Sequence, residues 1–487
     1  MAASITTDDD RWPVVIVGAG PAGLTAAITL ARADIRCLVI DRRRTRSIQP
    51  RATVVSLRSM ELFRSWGIED RVRAGGDDVV WQMLATPTLA EAAAGQTIEV
   101  GYPTPQQSAV LSPTSPACVP QDHLETVLLD YLRELPAAEV WLEQVVEQVQ
   151  QDQHSAAVGL RDLETGSRWT VLADYVIGAD GARSTVRSSA GIGRQSTERL
   201  VESLSVLFHA PLWEVVGEHR FGIYTISDPA MPASFLPAGH GDRWLYGFGW
   251  DPAVEKITDY TDDRFAALIR AGAGIDDLPI KIDSFGAYAF VASIMDRFRE
   301  GRIFLAGDAA HQVTPRGGTG MNTAIADGFD LGWKLVWVTN GWVGDRLLDT
   351  YESERRPVAE HNLARSIDPW GSRRTVEAEV GVDLGGRLPH AWLPQTSRST
   401  LDLLGSGLTL FTAGPGSALP DRSTAGPADM SNVPVTVHHL DLITARTLGL
   451  RPNASLLVRP DGISTSESEL QTFALTSSGQ ASTRKAS

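Results

Sequence analysis

The chain has 487 residues, 43% of them hydrophobic and 21% charged, which is long enough for two or three domains and too apolar for a disordered chain. Its 44 basic and 59 acidic residues leave a net charge of −15, a sign that repels phosphate backbones and anionic membranes and argues against nucleic acid as a partner. With two cysteines, Cys37 and Cys118, neither a disulfide framework nor a structural zinc site is readable, and a reducing, cytoplasmic compartment fits.

Met1 to Trp12 carries three consecutive aspartates where a signal peptide needs a basic and then an apolar region, so it reads as a loose lead-in. Val14 to Val17 is a β-branched run that enters Gly-Ala-Gly-Pro-Ala-Gly, then a helical stretch from Leu24 to Arg32 and a second apolar run from Cys37 to Ile40. Strand, turn, helix and strand make the unit of a parallel sheet. The glycines that interrupt this stretch disfavour a membrane span. Gly18, Gly20 and Gly23 form GxGxxG at the turn, with Asp41 closing the next strand. The first glycine makes the tight turn, the second lets backbone approach a pyrophosphate, and the third lets helix meet strand. With Pro21 and Ala22 between them, they are candidate cofactor-binding residues, and Asp41 is the candidate acceptor for an adenosine ribose.

Residues 59–68 predict a helix with Ser59 as N-cap and Gly67 as the stop, its Trp66 in the core. Gln121 to Leu135 predicts another helix, and Trp169 to Ile177 a strand entering Gly-Ala-Asp-Gly. Between about 200 and 295 the texture changes. Phe221 to Ile226, Ala233 to Leu236, Arg243 to Trp250 and Ile280 to Ala292 are short, aromatic-rich segments that predict an antiparallel sheet, inserted in the first unit. The α/β texture returns at Arg302 to Leu305, followed by Ala-Gly-Asp-Ala-Ala-His and a long helix from about Asn322 to Val338. A third region starts near Gly385 with strand-like runs at Leu408 to Phe411 and Ser455 to Val458, and the end reads as a short helix and a loose tail.

Arg302 to Asp330 is a second strand, Gly-rich loop and helix start. Asp308 ends its strand where a flavin ribityl hydroxyl would bind. Gly317, Gly318 and Gly320 free the backbone to approach a flat ring, and amides near Met321 and Asn322 lie at a helix N-terminus, suited to negative charge on a reduced flavin.

With these motifs in order, joined by Asp180-Gly181-Ala182-Arg183-Ser184-Thr185-Val186-Arg187 and Gly307-Asp308, the chain resembles the FAD-dependent aromatic hydroxylases, the family with the p-hydroxybenzoate hydroxylase fold. The resemblance implies an α/β chain of three units. A discontinuous Rossmann-like FAD-binding domain takes 1–75, 105–195 and 296–375, a substrate-binding domain takes 76–104 and 196–295, and a thioredoxin-like C-terminal domain of the polyketide-hydroxylase branch takes 385–475, with 476–487 as tail. The last domain is carried by Gly386-Arg387-Leu388-Pro389, Asp402-Leu403-Leu404-Gly405 and Leu457-Val458-Arg459-Pro460-Asp461-Gly462. It has no CxxC, so disulfide exchange is excluded, and Ile463 runs into Ser and Thr, which leaves its last strand open.

The resemblance also implies the chemistry. NADPH or NADH reduces FAD, O₂ adds to the reduced ring, and the flavin C4a-hydroperoxide hydroxylates a phenolic or polycyclic aromatic substrate, as in aromatic polyketide tailoring for antibiotic biosynthesis or in phenol degradation. Arg51 and Gln121 match family positions facing the flavin or its pyrophosphate, Arg42 would pack on the adenosine, Asp180 would position the cofactor, and Pro315 would border the ring. The flavin carries the chemistry, and no residue is assigned as catalytic. Tyr224, Phe235, Trp244, Tyr246 and Trp250 are candidate substrate-lining residues, with alternation turning about half of the sheet's aromatics inward. His311 reads as a loop-holding residue, and His240 as one candidate proton acceptor among several. No metal is expected, and a homodimer stays open. The absence of a second GxGxxG and of a Trp-x-Trp-x-Ile-Pro run leaves hydroxylation ahead, with a flavin oxidoreductase that inserts no oxygen, or a flavoprotein that sequesters an aromatic compound, as alternatives.

Overall fold

The computed structural model describes residues 11–45, 50–228, 232–413 and 432–473; most of the expected lead-in, and the tail from 476, lie outside them. Five parallel strands form the centre of the first sheet, in spatial order Ile303–Leu305, Arg168–Gly178, Trp12–Val17, Cys37–Asp41 and Ala138–Leu142. Val14, Val15, Ile16, Leu38, Val39 and Ile40 are all 0% exposed, as strands covered on both faces require. Two helices, Pro21–Ala31 and Gly320–Thr339, pack closely through small residues. A Cβ on Gly328 would fall 2.2 Å from the Ala22 carbonyl oxygen, and one on Gly332 would fall 2.7 Å from Thr29 Cβ.

The helix predicted over 59–68 runs Leu57–Ser65, and its N-cap is Ser56 rather than Ser59: the Ser56 hydroxyl accepts the Ser59 N–H. Both serines can cap, but the chain is already helical at Leu57. Trp66 is in the core at 7% exposure, and Gly67, with φ +75°, turns the chain out of the helix.

The second sheet has eight strands, in order His311–Gln312, Lys281–Met295, Arg194–His209, Arg243–Gly249, Ala233–Pro237, Phe221–Ile226, Val80–Thr86 and Gln96–Glu99. All four predicted strands are present. The longest, Arg194–His209, is hidden in the sequence because its first half is almost wholly polar. The sheet is antiparallel except that Phe221–Ile226 pairs parallel with Val80–Thr86, a strand that arrives from an earlier part of the chain instead of through a hairpin.

The third sheet runs Val435–Leu440, Leu408–Ala413, Ser455–Val458 and Ser464–Thr465; the first pair is parallel and the others antiparallel. That is the order of a thioredoxin-like core. Its last strand is present, two residues long. Among the described residues no helix is long and apolar enough to cross a membrane.

The glycine contacts separate two substitutions of one kind. Gly328→Ala would press a methyl on backbone and is expected to lower stability by about 1–3 kcal/mol. Gly381→Ala, in the helix Val376–Leu384 where a Cβ meets nothing within 4 Å, should raise it by about 0.5–1 kcal/mol. Denaturant midpoints of the two variants check both signs.

Candidate active site

The C-terminal ends of four parallel strands lead into the residues singled out by sequence: Gly18, Asp41, Asp180 and Asp308. This edge is where open parallel sheets bind ligands. Gly18 has φ +108°, and a Cβ there would fall 2.2 Å from the Ala179 carbonyl oxygen. A Cβ on Gly23 would fall 2.0 Å from the Gly18 oxygen. Gly20 differs: it has φ −87°, and a Cβ would meet nothing within 4 Å. The fold therefore requires Gly18 and Gly23 but leaves the space in front of Gly20 open. Pro21 and Ala22 follow in the first helical turn, whose first intrahelical bond is Leu24 N–H to Gly20 O at 2.9 Å, so the Ala22 and Gly23 amides are left for a ligand.

Asp41 accepts the Ala19 N–H at 2.8 Å and the Arg43 N–H at 2.8 Å. Burial pushes its pKa up, but the Arg43 guanidinium and these amides outweigh that and hold it below the usual carboxylate range. Of the two arginines that follow, Arg43 rather than Arg42 lies on Asp41, and Arg42 is exposed. Asp180 caps the short helix Thr185–Ser189 by accepting the Thr185 N–H at 2.7 Å. Its other oxygen, Oδ1, is buried with no partner among the described residues, and burial raises its pKa against the Ser184 hydroxyl.

Gly307 and Asp308 sit between the first turns of both long helices: a Cβ on Gly307 would lie 3.3 Å from Ala22 Cβ and 3.1 Å from Ala324 Cβ. Burial raises the Asp308 pKa, with His311 and Arg51 pulling the other way. Gln121 opens the helix Gln121–Arg133, and its N–H donates to Ala52 O at 2.9 Å, which brings it beside Arg51. Past the exposed Pro315, Gly317 and Gly318 take φ of +82° and +65°. Gly320 starts the helix, and its first internal bond is Thr323 N–H to Thr319 O, so the amides of Gly320, Met321 and Asn322 have no acceptor within the helix. Asn322, 6% exposed, holds this turn: its Oδ1 accepts the Ser56 N–H at 2.8 Å and the Ser59 hydroxyl at 3.0 Å, and its Nδ2 donates to Val54 O and Gly318 O. The Tyr102 hydroxyl also donates to Gly318 O at 3.0 Å.

His311 is buried and bonded to Asp327 at 2.6 Å. Asp327 also accepts the Gly307 N–H at 3.1 Å and Arg355 Nε at 2.8 Å. His311 thus ties its loop to the helix Gly320–Thr339 through Asp327 rather than bonding within the loop, and Asp327 and Arg355 are partners that sequence alone does not reveal. His240 is 77% exposed on Asp77.

The substrate-lining expectation is corrected. Tyr224, Phe235 and Trp244 are 0% exposed and Tyr246 1%; they pack with Phe265 and Ile269 of the helix Asp262–Ala273, and Trp250 packs against the same cluster. The aromatics face the amphipathic helix that covers this side of the sheet, not open space. The opposite face meets the first unit: Trp81, Met83, Tyr102 and Ile223 pack with Val54 and Cys118, and Arg316 lies over Phe290. Across it, Gly286, Ser205, Gly247, Ser234 and Thr225 stand side by side in register. Leu207, Leu245 and Leu236 form one flank, and the stacked pair Tyr288 and Phe290 the other. At this row the residues that alternate with the aromatics are small, a pattern that marks two unlike faces without stating which one a helix covers.

Residues 11–366 match the family described as FAD binding domain. The chain is 32% identical to the tetracenomycin A2 monooxygenase-dioxygenase of Streptomyces glaucescens, over 93% of this chain and 92% of that one. It is also 32% identical to an aklavinone 12-hydroxylase of Streptomyces purpurascens, over 94% and 95%. The chain belongs to this family. It is an FAD-dependent aromatic hydroxylase. Among solved structures it is similar to the flavin-dependent monooxygenase PieE in complex with FAD and substrate, with TM-score 0.82, 26% identity and coverage of 96% and 98%. A ternary complex of aklavinone-11 hydroxylase with FAD and aklavinone gives TM-score 0.81 at 28% identity, over 94% and 95%. FAD fits the residues present: the open space at Gly20 and two helix N-termini at Gly307 suit a pyrophosphate, and Asp180 Oδ1, without a partner among the described residues, is left to accept from a cofactor hydroxyl.

Asp327 gives a pH prediction. Burial raises its pKa, yet His311 and Arg355 hold it below the usual value. Its contribution is therefore complete above its unfolded pKa of about 3.9 and is lost as pH falls through the lower folded value. Asp327→Asn should cost about 3–5 kcal/mol at neutral pH by leaving Arg355 uncompensated, and the gap from wild type should narrow below about pH 4 in urea unfolding series.

Proposed function

We propose that this hydroxylase takes a flat, polycyclic phenolic substrate in the trough between the second sheet and the turn Pro315–Asn322, with NADPH or NADH and O₂ as co-substrates. The observation that carries the reading is the row of small residues from Gly286 to Thr225. Five strands at a spacing of about 4.8 Å make it roughly 19 Å long, several ring widths. The flanking leucines and the Tyr288–Phe290 pair suit apolar ring edges, and the Ser234 hydroxyl suits a quinone or phenol oxygen. The substrates named for the relatives, aklavinone and tetracenomycins, support the polycyclic class. The FAD domain, substrate domain and thioredoxin-like domain at the boundaries given above are part of the same proposal.

In this reading the Ala22 and Gly23 amides bind the pyrophosphate, Asp41 binds the adenosine ribose, and Asp308 accepts a ribityl hydroxyl. Asp180, Arg51 and Gln121 close the same edge. When bound, FAD supplies the redox and oxygen chemistry. Amides of Gly320, Met321 and Asn322 favour negative charge on the ring edge that meets them, and the apolar flanks exclude water from the reacting carbon.

The first test is an absorbance spectrum of the purified protein, followed by NADPH oxidation in air with simple phenols and polycyclic quinones. The expected result is flavin bands, oxidation stimulated by the polycyclic class, and a product gaining one oxygen atom. Consumption without oxygen gain would favour the non-inserting oxidoreductase. Two variants locate the sites. Gly20→Val should leave apoprotein stability within about 0.5 kcal/mol, since its Cβ is unopposed, but abolish FAD retention; a fully flavinylated variant would sink the assignment. Gly247→Phe should retain FAD while substrate no longer stimulates NADPH oxidation.

A further inference from the structure

Two motifs of the C-terminal unit play no part in the site above, Gly386-Arg387-Leu388-Pro389 and Arg459-Pro460-Asp461-Gly462. They meet each other, because the Leu388 N–H donates to Gly462 O at 2.9 Å. Both also reach the helix Leu57–Ser65. Arg387 makes a two-point ion pair with Glu61, its Nε on Oε2 at 3.0 Å, and the two side chains are 3% and 2% exposed. Glu61 also accepts Arg58 Nη1 at 2.9 Å, and Arg58 Nη2 donates to the Asp461 carbonyl oxygen at 2.6 Å.

The first turn of that helix is also what grips Asn322, through the Ser56 N–H and the Ser59 hydroxyl. Asn322 in turn donates to Gly318 O. An unbroken path of directed bonds therefore runs from the C-terminal unit through Glu61 and Arg58 to the flavin-facing turn. A bidentate arginine–carboxylate pair fixes orientation as well as distance, whereas a buried ion pair adds little net stability over an apolar contact.

We infer that Arg387 and Asp461 are positioning residues for the turn Gly318–Asn322: the C-terminal unit sets the pose of the helix Leu57–Ser65, and the helix sets the turn. This rests on the reading that the turn meets the flavin ring. It gives a thioredoxin-like unit without a redox pair a role in the hydroxylase reaction.

The test uses the full-length protein with Glu61→Gln, Arg387→Met and Arg58→Met, Arg387→Lys as the conservative variant, and Ile443→Ser, an exposed position of the same unit (79%), as control. Hydrogen exchange of the bonded Gly318 and Thr323 amides is read in the apoprotein, and the flavin midpoint potential and peroxide released per NADPH in the holoprotein. In variants that fold, exchange should speed about tenfold, the potential should shift, and the peroxide fraction should rise roughly twofold or more. Arg387→Lys should recover part of each change, and Ile443→Ser should change none. Folded variants with a lower melting temperature but unaltered exchange, potential and peroxide would overturn the inference. Accelerated exchange in a protein that takes up no FAD would uphold the mechanical link and defeat the flavin reading instead. Arg58→Met removes the Asp461 contact and leaves the Arg387–Glu61 pair, so it still decides the matter if the other variants do not fold.

Discussion

The contact on which the rest depends is the close crossing of the helices Pro21–Ala31 and Gly320–Thr339. Only glycine at 328 allows the backbone of one to reach the other. That crossing brings two helix N-termini to the Gly307–Asp308 turn, each with amides lacking an acceptor and about half a positive charge. An anionic cofactor is thereby favoured before any side chain is considered. The interior below this point is charged: Asp327, 0% exposed, takes a backbone amide, a histidine and an arginine. The low-dielectric surroundings that make such a group costly to leave unpaired also make it directional, and it fixes the Gly307 turn against the helix.

The second sheet uses its two faces differently. One is sealed by the helix Asp262–Ala273 over Tyr224, Phe235, Trp244 and Tyr246, and stabilises the unit. The other keeps small residues in its middle and meets the turn Pro315–Asn322. The strand His311–Gln312 pairs with Ser293 and Ile294 of this sheet, and eight residues later the chain starts the helix at Gly320. One short segment thus belongs to both walls.

Local chemistry was legible in the sequence. The glycine turn, the acid closing the second strand and the Gly-Asp turn each need particular residues at fixed spacing, and all came to one edge of the first sheet. Parity in the second sheet was not legible, because an alternating strand states that it has two faces without stating which one a helix covers. Ser56 and Ser59 offer the same capping chemistry three residues apart, so residue type alone does not place the start of the helix. Glu61 and Arg387 are 326 positions apart, and no periodicity or motif connects residues so distant. Arg194–His209 is defined by strand pairing rather than by composition, so its polar first half carries no strand pattern.

The two cysteines carry a last consequence. Cys37 and Cys118 are free and buried, and burial pushes both thiols up to about 12. Oxidants attack the thiolate rather than the thiol, so at neutral pH both sulfurs are in their unreactive form. An oxygen-activating flavoprotein that loses peroxide on unproductive turnovers exposes itself first to that oxidant. In this chain that oxidant would meet both cysteines as buried thiols rather than as thiolates.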